Sequence, residues 1–201
     1  VTGDANKEDV VYRSTAKEND LICVSGDLGA AYMGLMLLER EKKVFEADPG
    51  MQPDLAGFDY ILERQLKPEP RTDIIELLKT VGVKPTAMID ISDGLASEVL
   101  HLCEDSGLGC RIYEDKIPLD AMTVAAAEEF NLQPVTAAMN GGEDYELLFT
   151  ISMNDFEKVK DLEGISIIGH MTEPNLGVFM ASNNGPLIKI EALGWNHMRE
   201  E

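Results

Sequence analysis

Two carboxylates and a hydroxyl stand close together in residues 89–95, where an apolar run ends and a glycine follows. A strand ending here places Asp90 and Ser92 on one face, because side chains alternate along a strand. Asp93 then lies where the chain turns into a helix, whose first N–H groups attract anions. Oxygen ligands beside a helix N-terminus suit a magnesium–phosphate complex, so this stretch predicts a metal site. The alternative is that Asp93 only caps the helix, but capping accounts for one acidic residue and leaves Asp90 and Ser92 unexplained.

A second candidate lies in residues 140–149, where two glycines precede two acidic residues and a predicted strand. Gly141 and Gly142 permit close approach of the backbone to a ligand. Glu143 and Asp144 point to opposite sides if the strand has already begun, so only one of them should face a given pocket. A glycine turn with solvated acidic side chains is an equally good interpretation of the stretch taken alone.

Two further segments carry weaker patterns. Residues 25–29 join a predicted strand to a predicted helix, which is where a phosphate-binding loop would lie. They lack the Gly-Lys-Ser/Thr ending of a P-loop and the three glycines of a dinucleotide site, so a tight turn is favoured. Trp195 could anchor the C-terminal tail to the core or stack on a heteroaromatic or cationic ring. The sequence shows no Ser-His-Asp or Cys-His spacing, and no catalytic side chain is expected.

Composition limits the partners. Lys and Arg total 17 against 37 Asp and Glu, which gives a formal net charge of −20. Nucleic acids and anionic membranes attract basic surfaces, so neither is expected as a partner. A phosphate ester has the same sign as the chain, which favours bridging by divalent cations over an arginine-lined pocket. Three cysteines without a CxxC pair, and the lack of a long apolar run or a signal peptide, predict a cytoplasmic protein with free thiols.

The 201 residues suffice for one large or two small domains. The predicted strands are 21–25, 86–91, 109–113, 145–151 and 165–169, with a hairpin over 177–190 around Asn183-Asn184-Gly185. The predicted helices are 30–40, 54–65, 72–81, 94–105, 119–130 and 153–161. In helix 94–105 the polar face should carry Ser97, Glu98, His101, Glu104 and Asp105. This order of elements predicts an α+β fold (layered α/β) in which helices flank a mixed sheet.

Residues 89–95 and 141–150 together resemble two motifs of the thiamine-monophosphate kinase family. Further matches follow in family order: Arg13-Ser14, Pro70-Arg71, Ile168-Gly169 and Gly194-Trp195. The resemblance implies the fold shared with aminoimidazole ribonucleotide synthetase and selenophosphate synthetase, with residues 21–201 as its C-terminal α/β domain. Residues 1–20 would be the linker or tail of a missing N-terminal domain, which in the family binds metal and ATP and mediates dimerisation.

The resemblance also implies roles for individual residues. Asp90 and Asp93 would hold Mg²⁺, and Ser92 would contact ATP, as would Arg13. Glu143 and Trp195 would contact thiamine monophosphate. The chain departs from the family's usual pattern in three places. Thr15 stands where a glycine often follows the Arg-Ser pair, Glu18-Asn19 stands where Pro-Gly often precedes the first strand, and Trp195 stands where tyrosine is frequent.

The implied reaction moves the γ-phosphoryl group of ATP onto the phosphate of thiamine monophosphate, giving thiamine diphosphate. The acceptor oxygen is already anionic, since a phosphate ester's second pKa is about 6, so no strong general base is required. The obstacle is repulsion between two polyanions, which Mg²⁺ relieves. We expect the intact enzyme to be a homodimer and the isolated chain to have little kinase activity. Two alternatives stay open: another ATP-using enzyme of the same superfamily, or a non-catalytic binding or assembly domain.

Overall fold

The computed structural model of the protein describes residues 4–183 and 185–191, which contain a seven-stranded sheet. The strands are β1 (Leu21–Ser25), β2 (Ala87–Ile91), β3 (Gly109–Tyr113), β4 (Glu146–Ile151), β5 (Ile165–Thr172), β6 (Val178–Ala181) and β7 (Leu187–Lys189). Their order across the sheet is β2-β4-β1-β5-β3-β6-β7. All neighbouring strands are antiparallel except β3 and β6, which are parallel. The predicted mixed sheet is therefore confirmed.

Seven α-helices flank the sheet within the described residues. They are α1 (Ala30–Ala47), α2 (Asp59–Leu66), α3 (Thr72–Thr80), α4 (Leu95–Ser106), α5 (Ala121–Glu129), α6 (Pro134–Asn140) and α7 (Phe156–Val159). Helices α4 and α6 pack on one face of the sheet, where their apolar side chains share a core with β1, β2 and β4. Helices α3 and α7 cover part of the other face. A third core joins α1, α2, α5 and α6 and makes an outer helical layer.

The sequence predicted the strands better than the helix ends. Helix α1 runs seven residues beyond its predicted end at residue 40, because Glu41 is buried rather than solvated. The Glu41 carboxylate accepts hydrogen bonds from Arg40 Nε and the Asp54 backbone N–H, each at 2.9 Å. Helix α6 was not predicted at all, since seven residues opened by Pro134 are too short to show a periodicity.

The N-terminal segment lies against the sheet. Residues 4–20 contain no helix or strand, but they contact the start of β2: Met88 N–H donates to the Tyr12 carbonyl at 3.3 Å. The role of residues 1–20 as a linker stays a prediction.

The predicted hairpin forms between β6 and β7, although Asn184 lies outside the described residues. The three cysteines are free and buried, as predicted. In the part of the chain that the structure describes, no helix has the length and hydropathy to cross a membrane.

Helices α1 and α2 touch at Gly34, and this contact yields a prediction. A Cβ atom added at Gly34 would lie 2.2 Å from the Ile61 carbonyl oxygen and 2.9 Å from the Gln65 Cβ. In a free helix, Gly→Ala would add up to about 1 kcal/mol of stability. We expect Gly34→Ala instead to lower the free energy of unfolding by about 1–3 kcal/mol, because the helices must separate. Urea unfolding measures this, with Glu39→Ala, an exposed site on α1, as the control; a stabilised G34A would contradict the contact.

Candidate functional site

The two sequence motifs meet at the edge of the sheet. Strand β2 is the first in the strand order, and the loop of residues 141–145 that leads into β4 runs alongside its end. Glu143 N–H donates to the Ser92 carbonyl at 2.7 Å, and Tyr145 N–H donates to the Ile91 carbonyl at 2.9 Å. Residues about fifty positions apart in sequence therefore form one surface.

Glycines make this approach possible. A Cβ atom at Gly142 would lie 2.6 Å from the Ser92 carbonyl oxygen, and one at Gly94 would lie 2.7 Å from the Met139 carbonyl oxygen. Both glycines have positive φ angles, 72° and 106°, which other residues adopt at a cost. The sequence suggested that Gly141 and Gly142 admit a ligand. In the structure Gly142 admits the backbone of Ser92 and Asp93, whereas Gly141 packs against Ala137 and Tyr32.

The 141–145 loop is conformationally strained. Glu143 and Tyr145 have φ angles of 65° and 51°, although neither is glycine. Each such residue costs about 1–2 kcal/mol, so the surroundings must hold it in place. The strand begins only at Glu146, so strand alternation does not set the directions of Glu143 and Asp144. The two side chains diverge nonetheless, with Glu143 exposed and Asp144 buried.

Acidic side chains converge where the motifs meet. Asp90, Asp93 and Glu143 are exposed, and Tyr145 donates its hydroxyl to Glu143 Oε2 at 3.0 Å. That hydrogen bond is the main cause of the raised pKa of Tyr145, and the charges of Glu143, Asp90 and Asp93 raise it further. We call these four residues the acidic edge. Within residues 4–183 and 185–191, none of its three carboxylates forms an ion pair.

A fourth carboxyl lies beneath the acidic edge. Glu98 was predicted on the polar face of its helix, but it is only 2% exposed, and Ser97 beside it is also buried. Glu98 Oε1 accepts a hydrogen bond from Asp93 N–H at 3.2 Å. Burial raises the pKa of Glu98 to about 7, and the charges of Asp93 and Asp90 add to the rise. The prediction failed because residues 95–99 of α4 are all buried, so the polar face of the helix begins only beyond its first turn.

The donor set of the acidic edge fits Mg²⁺. Among the described residues, no group of three or more His, Cys, Asp or Glu side chains is arranged to hold a metal ion. Mg²⁺ does not require such a group, because it usually binds through one or two carboxylates together with waters and phosphate oxygens. Asp90 and Asp93 are exposed, and among the described residues neither forms an ion pair; Ser92, which lies between them in sequence, is half-buried.

The structure does not bring Arg13 to this site. Arg13 forms an ion pair with Asp105 near the C-terminal end of α4, whereas Asp93 precedes the N-terminal end of that helix. A helix of 12 residues is about 18 Å long. Arg13 is therefore separated from Ser92, its predicted partner in ATP binding, by about that distance. Trp195, which was predicted together with Glu143 to contact the substrate, lies outside the described residues.

The loop at residues 25–29 is a turn, as favoured from the sequence, and the first N–H groups of α1 bind a carboxylate of the chain itself. Gly29 N–H and Ala31 N–H donate to the two oxygens of Asp144, at 2.7 Å and 3.3 Å. Burial raises the pKa of Asp144 to about 6, although these hydrogen bonds and the charge of Arg64 act in the opposite direction. Asp144 thus ties the 141–145 loop to α1.

Sequence reasoning missed Glu146, the next acidic residue. Its side chain is 1% exposed and pairs with two arginines, Arg64 at 2.9 Å and Arg71 at 2.5 Å, while Ser25 donates its hydroxyl to it. The pattern that could have indicated its role is an acidic residue at the start of a strand that is otherwise mostly apolar. The two arginines lie at the wall of a cavity of about 490 Å³ next to Pro70.

Comparisons with known proteins fit this geometry. Residues 17–180 match the family described as AIR synthase related protein, C-terminal domain. The chain is 33% identical to the thiamine-monophosphate kinase of Aquifex aeolicus over 83% of its own length and 54% of the relative's. It is 30% identical to that of Bacillus subtilis over 99% of its length and 59% of the relative's. The resemblance to this family is therefore confirmed, and the chain spans somewhat more than half the length of these relatives.

Solved structures agree on the fold. The structure of AaThiL complexed with AMPPCP and TMP has a TM-score of 0.75 and 31% identity, covering 94% of this chain and 54% of that one. The hydrogenase maturation protein HypE of E. coli has a TM-score of 0.67 at 20% identity, covering 94% of this chain and 54% of that one, which is a likeness of fold alone.

The buried Asp144 predicts a pH dependence of stability. Its pKa is about 6 in the folded chain against an ordinary value of 3.8, so between these pH values the folded state binds more protons than the unfolded state. Stability from this group is therefore present below about pH 4 and is lost as pH rises to 6, by on the order of 3 kcal/mol at most.

Asp144→Asn should remove that component, and urea unfolding at pH 4 to 7 measures it. Between pH 4 and pH 7, the wild type should therefore lose more unfolding free energy than D144N does. Asp161→Asn, an exposed site, should retain the wild-type profile. Parallel pH profiles for wild type and D144N would show that Asp144 does not titrate in this range.

Proposed function

This chain belongs to the family of AIR synthase related proteins, C-terminal domain, and from that premise we propose that it is the C-terminal part of a thiamine-monophosphate kinase. The observation that carries the proposal is the meeting of residues 89–95 and 141–145, which gathers unpaired carboxylates at one edge of the sheet. The relatives' name and the TMP in the AaThiL complex, which we take to be thiamine monophosphate, support the choice of substrate.

Asp90 and Asp93 would hold Mg²⁺, with Ser92 between them offering its hydroxyl to ATP. When bound, the metal neutralises phosphate charge and so lets two polyanions approach each other. The two aspartates suit this role because they are exposed and free of ion pairs in the described structure. The backbone from Ile91 to Asp93, next to both aspartates, is held by hydrogen bonds to the 141–145 loop and to Glu98.

The reaction requires positioning rather than acid–base catalysis by this chain. An anionic oxygen of the acceptor phosphate attacks the γ-phosphorus of ATP, and the bond from that phosphorus to the bridging oxygen of ADP breaks. The products are thiamine diphosphate and ADP, and no proton has to be removed from the acceptor. A site built from aspartates and a serine, without a catalytic His or Cys, fits this demand.

Glu143 and Trp195 would bind the thiamine part of the substrate. Glu143 is exposed at the acidic edge, and the Tyr145 hydroxyl fixes its carboxylate. A carboxylate there attracts the positive thiazolium ring and can accept hydrogen bonds from an aminopyrimidine. Stacking of Trp195 on the cationic ring would add about 0.5–2 kcal/mol.

The intact protein would be longer than this chain. Residues 1–20 would link it to an N-terminal domain that completes the ATP and metal sites, and Arg13 lies in that segment. A cytoplasmic homodimer would be the working form, and the isolated chain would show little turnover. Robust kinase activity from these 201 residues alone would contradict the proposal that a second domain is required.

The metal-binding role is tested in the intact enzyme with Asp90→Asn and Asp93→Asn. Each change removes a charged oxygen donor, so we expect at least a tenfold weaker affinity for Mg·ATP and a comparable loss of turnover. Calorimetry measures the affinity and a coupled assay the turnover. Asp161→Asn, an exposed carboxylate on the segment after α7, should leave both unchanged. Wild-type behaviour of D90N and D93N would refute the metal site.

Substrate choice is tested separately by comparing acceptors. The intact enzyme should phosphorylate thiamine monophosphate and not free thiamine, because the attacking group is a phosphate oxygen. Glu143→Gln should raise KM for thiamine monophosphate by about tenfold and leave KM for ATP unchanged, since Glu143 would contact only the thiamine part. Turnover of free thiamine, or an ATP-only effect of E143Q, would contradict the assignment.

A further inference from the structure

Glu98 has a buried carboxyl group whose hydrogen bonding is incomplete. It is 2% exposed, and glutamate is almost never buried to this degree unless it is paired. One oxygen, Oε1, accepts from Asp93 N–H at 3.2 Å. The other, Oε2, is buried and has no hydrogen-bond partner among the residues that the structure describes.

The hydrogen bond between Glu98 and Asp93 differs from the usual helix cap by one residue. In a capping box, a Glu at the third helical position reaches back to the N–H of the cap residue. The cap of α4 is Gly94, so Glu98 occupies the fourth position and reaches one residue further, to Asp93. Its carboxylate therefore reaches past the cap residue of the helix. It holds the backbone of a residue in the acidic edge.

Asp93 is fixed from two sides by these contacts. Gly142 packs against it on one side, where an added Cβ would come within 3.2 Å of the Asp93 Cα. Glu98 binds its N–H on the other side. The charges of Asp93 and Asp90 both act on the Glu98 carboxyl, so this group lies close to both proposed metal ligands. None of the described residues donates to Oε2, which leaves this oxygen as an acceptor for a molecule bound at the acidic edge.

We propose that Glu98 is a positioning residue for the metal: Oε1 fixes Asp93, and Oε2 accepts a hydrogen bond from a water molecule carried by Mg²⁺ held at Asp90 and Asp93. The inference rests on the proposed function. Mg²⁺ gives up its waters reluctantly and normally keeps several of them in protein sites. Partners of this outer kind typically change metal affinity by 10–100-fold.

The test uses the intact enzyme and its Glu98→Gln variant. Glutamine keeps the shape and can still accept from Asp93 N–H, but it loses the charge and one of the two oxygen acceptors. Calorimetric titration of Mg²⁺ in the presence of AMPPCP should give an affinity about tenfold weaker than wild type. The Mg²⁺ concentration for half-maximal turnover should rise likewise, while KM for thiamine monophosphate stays unchanged.

Glu104→Gln is the matched control, since Glu104 lies exposed on the same helix, and it should bind Mg²⁺ as wild type does. Thermal melts establish that each variant is folded at the temperature of the titration. If E98Q does not fold, Glu98→Asp keeps the charge but shortens the side chain, and the same weakening is expected.

The outcomes separate this inference from the proposed function. Weaker Mg²⁺ binding in folded E98Q or E98D, with E104Q unchanged, supports the positioning role. A folded variant with wild-type Mg²⁺ affinity, or one that loses only thermal stability, overturns it. If D90N and D93N weaken Mg²⁺ binding and the Glu98 variants do not, the inference alone fails. If D90N and D93N also bind Mg²⁺ normally, the metal site fails with it.

Discussion

Two backbone hydrogen bonds, from Glu143 N–H to Ser92 and from Tyr145 N–H to Ile91, are the interaction on which the site depends. They continue the pairing of β4 with β2 beyond the end of the strands, although the 141–145 loop is not itself a strand. The continuation requires left-handed backbone at two non-glycine residues, which is unfavourable alone. This contact places Glu143 and Tyr145 beside the end of β2, where Asp90 and Asp93 lie.

On its buried side, the strained 141–145 loop is held in place by two acidic side chains, those of Asp144 and Glu146. Asp144 binds the first N–H groups of α1, and Glu146 binds Arg64 and Arg71. Buried ion pairs add little net stability, because desolvation offsets the attraction, but loss of one partner is strongly unfavourable. Their value here is geometric: the ion pairs join α2 and the segment around residue 71 to the start of β4, and the Asp144 hydrogen bonds join α1 to the 141–145 loop. The exposed acids can then stay unpaired, since the fold does not rely on them.

The sequence was informative wherever the deciding contacts are local. Strands β1 and β3 match their predicted bounds because each is a short buried run between turn residues. Both halves of the site were found from their own patterns, but only the fold shows that they touch. Glu98 and Glu41 were misjudged because each is buried by a partner that periodicity does not reveal. The role of Arg13 came from resemblance alone, and Arg13 lies away from the site; Trp195 lies outside the described residues.

The place of β2 at the border of the sheet has a consequence for the behaviour of the protein in solution. A border strand presents open N–H and C=O groups that can pair with another molecule, and exposed charge on such a strand discourages this. Asp90 stands on β2 with its carboxylate in water, and the segment near Tyr12 occupies part of the same border. Two copies meeting there would bring like charges together. The aspartate proposed to hold the cation thus also protects the chain from self-association through its strands.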